Sequence, residues 1–118
     1  MAAKDDLGRR GERLAEEHLV ARGAVVLDRN WRCPIGEIDL VVRDGGCLVF
    51  VEVKTRSGVG WGEPLESITP VKLARLRRLA GAWCEAHPEV RGPLRIDAIG
   101  IVAPRDQTPR LAHLEAVF

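Results

Sequence analysis

The sequence predicts an α/β domain with elements in the order α-β-β-β-α-β-β, a mixed sheet flanked by helices. Three observations predict it. Apolar residues recur at helical spacing over residues 6–22 and again after Thr69-Pro70. Two apolar runs, 36–44 and 47–56, meet at Gly45-Gly46, a pair that signals a two-residue hairpin turn of the primed type. A further apolar run, 94–102, follows the second helix, which therefore serves as a crossover returning a strand to the meander.

The first helix takes Asp5 or Asp6 as N-cap and presents Leu7, Gly11, Leu14, Ala15, His18 and Leu19 on one stripe, with Gly23 closing it. Glu12 lies at the edge of that stripe and is placed to face inward. Gly8 and Gly11 are poor helix formers, and a close backbone approach would explain them. His18 reads as an edge-of-core histidine, because no second His or Cys accompanies it at metal-ligand spacing. Residues 24–32 form a first strand. After the hairpin, residues 57–64 are a glycine-rich loop that lacks the phosphate-loop pattern, with Trp61 either an anchor or a stacking surface. Thr69 caps the second helix, Pro70 occupies its first position, and His87-Pro88 ends it. Its apolar side is Leu73, Leu76, Leu79, Ala80, Trp83 and Cys84. The run 94–102 is a buried strand and 110–117 an edge strand. Asp97 beside Arg95 is either a salt bridge, the preferred reading, or an outer group of a site.

A chain of 118 residues, 46% hydrophobic and 30% charged, fits one soluble globular domain. No apolar run approaches membrane-spanning length and the N-terminus lacks a signal-peptide core, so no membrane association and a cytoplasmic location are expected. Cys33, Cys47 and Cys84 are odd in number and have no C-x-x-C spacing, which argues against a disulfide framework or a zinc site. The net charge of +1 announces no nucleic-acid binder, yet local basic residues can still hold phosphate.

Chemistry concentrates in the hairpin. With Gly45-Gly46 as its turn, Asp39 falls opposite Glu52 and Glu37 opposite Lys54. Alternation puts Glu37, Asp39, Val41, Arg43, Leu48, Phe50, Glu52 and Lys54 on one face and an apolar core set, including Ile38 and Leu40, on the other. Opposed residues have Cβ atoms roughly 4.5–5.5 Å apart, and two carboxylates so placed repel unless a cation joins them. Mg²⁺ takes one or two protein carboxylates together with water and substrate phosphate. Lys54 projects about 6.5–7 Å along the strand from Glu52, within reach of such a water or phosphate. The competing reading pairs Glu37 with Lys54 and leaves Asp39 and Glu52 solvated on an open sheet face. Phe50 and Leu48 on the same face argue against it.

Asp39 followed at a distance by Glu52-Val53-Lys54 resembles the PD-(D/E)xK signature of restriction-endonuclease-like nucleases. Its setting is more specific: Gly8-x-x-Gly11-Glu12-x-x-Ala15, Asn30-x-Arg32, Gly36-Glu37-Ile38-Asp39-Leu40, Val49-Phe50-Val51-Glu52-Val53-Lys54-Thr55-Arg56, Lys72 and Arg95-x-Asp97. Together these resemble the small bacterial YraN-type family, regarded as distantly similar to archaeal Holliday-junction resolvases. Ile38, not proline, precedes Asp39.

The resemblance implies a restriction-endonuclease-like core over nearly the whole chain. Glu12, Asp39, Glu52 and Lys54 would be the catalytic set. Asp39, Glu52 and the Val53 carbonyl would hold Mg²⁺, with Mn²⁺ as substitute, for hydrolysis of DNA phosphodiesters, including those of branched DNA. Arg32, Arg56 and Lys72 would guide the nucleic acid, and a homodimer would suit a branched substrate with two cleavable strands. The alternative is a non-catalytic nucleic-acid-binding module of the same fold.

Overall fold

The structure is a computed structural model that describes residues 3–58, 60 and 62–117. The expectation for Trp61 lies outside the described residues. Its elements run α1 (Ala3–Ala21), β1 (Val25–Cys33), β2 (Gly36–Asp44), β3 (Cys47–Arg56), α2 (Pro70–Ala86), β4 (Leu94–Val102) and β5 (Arg110–Leu114). They form one five-stranded sheet in the order β1-β2-β3-β4-β5. β3 and β4 are parallel and the other neighbours antiparallel, so the sheet is mixed and α2 lies in the crossover.

Local signals set most boundaries. Gly23, at φ 98°, ends α1. The Ala24 N–H then reaches the Leu19 carbonyl at 3.0 Å and the Gly23 N–H that of Val20 at 2.9 Å, a Schellman pair. Thr69 caps α2 by accepting the Lys72 N–H at 3.2 Å, with Pro70 at the first position. Gly45, at φ 60°, supplies the left-handed residue of the hairpin turn.

Two expectations need correction. α1 begins at Ala3, so Asp5 and Asp6 lie within its first turns, and the Asp6 carboxylate binds Arg9 at 2.6 Å instead of capping. β5 stops at Leu114, because Ala116 turns to φ 55° and its N–H binds the Asp97 side chain. The loop after β3 contains a short 3-10 turn, Pro64–Ser67, which packs Leu65 and Pro64 against Gly100 so closely that a Cβ there would lie 2.7 Å from the Leu65 side chain.

Both sheet faces are covered, which also corrects the single core face expected for the hairpin. On one face Ala15 and Leu19 of α1 pack with Leu40, Val42, Val49, Val51, Ile99 and Ile101. On the other, Leu76, Leu79, Ala80 and Trp83 of α2 pack with Ile38, Val41, Leu48, Phe50 and Ile96. The cysteines are unpaired and partly buried. Among the described residues no helix is long and apolar enough to cross a membrane.

Candidate metal centre at a fork in the sheet

The β2–β3 ladder runs from Asp44 opposite Cys47 to Leu40 opposite Val51 in the expected register and then stops. Beyond it β2 stays with β1 as far as Gly36 opposite Cys33, while β3 stays with β4 as far as Arg56 opposite Val102. The middle of the sheet thus splits into a fork, and Asp39 sits at its base. Its carboxylate accepts the Val53 N–H at 2.8 Å, so a side chain replaces the next rung of the ladder. The expected direct oppositions of Asp39 with Glu52 and of Glu37 with Lys54 are therefore absent from the ladder. Glu37 is instead opposite Arg32 of β1, whose guanidinium lies 3.6 Å from it.

Strand alternation also fails here. Ile38 packs on the α2 side and Leu40 on the α1 side although two residues apart should share a face. Next to this break, Asn30 of β1 adopts φ 49°, a left-handed conformation that asparagine tolerates better than most residues. Asp39 consequently opens toward α1, into a cavity of about 440 Å³ that Glu12, Arg13, Asn30 and Leu40 help to line. Glu52 opens the other way, into a cavity of about 250 Å³ with Glu37, Lys72, Arg75 and Leu79. The two carboxylates meet through the fork.

α1 reaches this point because of Gly11. A Cβ on Gly11 would run into the Thr55 side chain, 2.8 Å from its Cβ, so glycine is what allows the helix this close to β3. Gly8 has open space and no such reason. The next residue, Glu12, is held by the Asn30 side-chain amide at 3.0 Å. Asn30 belongs to the sequence motif, but its role depends on a strand partner and had no signal beyond its position.

Electrostatics distinguish the site. Burial, then the neighbouring Glu52 charge, push the Asp39 carboxyl up to about 8 despite the opposing Val53 hydrogen bond. Glu12 adds to the rise. Two carboxylates that resist ionising together suit a hard cation. Among the described residues no group of three or more His, Cys, Asp or Glu side chains is placed to hold a metal ion; the pair here would need main-chain oxygen and solvent to complete a donor set. That set fits Mg²⁺, with Val53 brought to Asp39 by the same hydrogen bond. Lys54 follows Glu52 on its face of β3 and forms no ion pair among the described residues.

The three expected nucleic-acid contacts do not converge. Arg32 is engaged by Glu37. The Lys72 ammonium lines the Glu52 cavity but donates to the Ser67 carbonyl at 3.0 Å. Arg56 borders a separate cavity with Leu7, Thr55 and Ser57, and its Nε is buried with no hydrogen-bond partner. Arg95 and Asp97 form the salt bridge, at 2.9 Å, away from the fork.

Comparison with known proteins agrees with the family resemblance. The family described as "Uncharacterised protein family UPF0102" matches residues 11–101. A UPF0102 protein of Clavibacter michiganensis is 56% identical over 109 residues, covering 92% of both chains. Those of Leifsonia xyli and Kineococcus radiotolerans are 50% and 52% identical, covering 99% of both chains and 98% and 95% respectively. The chain belongs to the UPF0102 family, the YraN-type family.

Proposed function

We propose that this UPF0102 protein is a metal-dependent endonuclease that hydrolyses DNA phosphodiesters, with branched DNA as its substrate class. The observation that carries the reading is the fork, where the strand pair ends and two partly buried carboxylates stand together with no ion pair to either among the described residues. Such an arrangement costs free energy in a purely structural role. The competing surface reading required a Glu37–Lys54 pair, and Glu37 is engaged by Arg32 instead.

Asp39, Glu52 and the Val53 carbonyl are the groups that would hold the ion. Bound there, Mg²⁺ or Mn²⁺ would lower the pKa of a water and stabilise the oxygens of an in-line displacement. Lys54 would donate to the attacking water or to a phosphate oxygen as charge builds. Glu12, oriented by Asn30, would accept a proton or a hydrogen bond from water on the α1 side.

The test is Mg²⁺-dependent cleavage of branched and linear DNA by wild type, Glu52→Gln and Lys54→Ala. Wild type should cut, and both variants should lose cleavage by about a hundredfold or more while remaining folded. DNA binding without cleavage by wild type would replace the reading with a non-catalytic module. Undiminished cutting by folded Lys54→Ala would remove Lys54 from the mechanism.

A further inference from the structure

Asp39 faces a different cavity from the one beside Lys72, and this changes where a phosphate can sit. The α1-side cavity carries three arginines, of which two are committed. Arg29 is held by both Glu16 oxygens, at 2.6 and 2.9 Å, and Arg9 by Asp6 at 2.6 Å. Arg13 lines the same cavity and forms no ion pair among the described residues. It shares that cavity with Glu12 and Asp39.

From this we infer that Arg13 is a positioning residue that binds a DNA phosphate on the α1 side of the fork, a role beyond the contacts expected of Arg32, Arg56 and Lys72. The inference rests on the nuclease reading and names the face that the substrate takes. An uncommitted guanidinium at the rim of a cavity is suited to a phosphate, which it can bind through two parallel hydrogen bonds. The cavity around it also carries Glu12, Glu16, Glu17 and Asp39. Glu16 is already paired with Arg29, but while Glu12 and Glu17 stay uncompensated a phosphate is repelled. Arg13 therefore contributes to DNA binding chiefly when a divalent cation offsets the carboxylates, whereas Lys72, in a cavity where Arg75 stands beside Glu52 and Glu37 is paired with Arg32, contributes with or without it.

The experiment measures fluorescence anisotropy of a labelled DNA duplex and a labelled four-way junction in Ca²⁺, which occupies oxygen sites without supporting rapid hydrolysis, and in chelator. Circular dichroism establishes that each variant is folded. Wild type should bind more tightly in Ca²⁺ than in chelator. Arg13→Ala should lose about tenfold of affinity in Ca²⁺ and little in chelator, and Arg13→Lys should restore only part of it. Lys72→Ala should weaken binding under both conditions. If Arg13→Ala binds as wild type does in Ca²⁺, or loses the same factor in chelator, the α1-side path is wrong, while wild-type cleavage leaves the nuclease reading standing. If wild type shows neither Ca²⁺-enhanced binding nor Mg²⁺-dependent cleavage, both readings fall together.

Discussion

Asp39 and Asp97 lie on strands of the same sheet, and their environments drive their carboxyl groups in opposite directions. Burial acts on both. At Asp39 it prevails, reinforced by Glu52, and the carboxyl rises to about 8. At Asp97, which is fully buried, the Arg95 guanidinium, the Ala116 N–H and His113 together outweigh burial and hold the carboxyl below its ordinary range. Arg95 contacts it at 2.9 and 3.0 Å, the Ala116 N–H at 3.0 Å and His113 Nε2 at 2.8 Å. The Asp97 carboxylate, held by Arg95, His113 and the Ala116 N–H, ties β4 to the chain after β5, whereas Asp39 has the Val53 N–H and a like-charged neighbour. The difference teaches that hydrogen-bond completion, more than depth of burial, separates a structural acid from a candidate site.

The largest effect should come from removing the satisfied charge. Asp97→Asn takes from Arg95, itself only 19% exposed, its main partner while Asp44 and Glu115 remain, and should cost about 3 kcal/mol in urea unfolding. Metal response should survive in whatever fraction folds. A variant as stable as wild type would break the contrast.

Next in size is Asp39→Asn. In the metal-free protein a raised folded pKa means that the folded state keeps a proton the unfolded state loses, so wild-type stability falls as pH rises from about 4 to about 8. The variant should escape this fall and be more stable at pH 8, on the order of 2 kcal/mol. Mg²⁺ should raise the melting temperature of wild type and not of the variant. Calorimetry showing equal metal responses would mean that Asp39 is no ligand.

The smallest effect sharpens the Asp97 side. His18 Nε2 lies 3.0 Å from His113 Nδ1, which Arg22 also approaches at 3.2 Å, extending the Asp97 network to α1. Burial first, then His113 and Arg22, lower the His18 pKa. The unfolded chain therefore takes up a proton near pH 6.5 that the folded protein resists, and stability drops as pH falls through that value. His18→Gln should flatten this part of the stability profile by roughly 0.5 kcal/mol. An unchanged slope between pH 7.5 and about pH 5.5 would take His18 out of the network's titration.

Much of the fold was legible because its signals are local. The hairpin limits, the Thr69-Pro70 start of α2 and the Gly23 stop of α1 each depend on a few adjacent residues with defined turn or cap chemistry. Gly11 announced a close approach, and Thr55 proved to be what it approaches. The start of α1 misled, since an aspartate that can cap can also sit inside a helix when Arg9 offers a partner one turn on. His18 read as a core-edge histidine, but His113, which gives it a partner, is 95 residues away.

By itself, then, the sequence determined the order of elements, the register of the hairpin next to its turn, and the identities of Glu12, Asp39, Glu52 and Lys54 as residues needing an explanation. Only the tertiary structure decided where the ladder ends, that Asp39 and Glu52 open to opposite faces, and which arginines keep their charge uncommitted. Turn geometry propagates along paired strands only while both obey the same alternation. The left-handed Asn30 and the Asp39–Val53 hydrogen bond end that alternation through contacts between neighbouring strands, which no local pattern encodes.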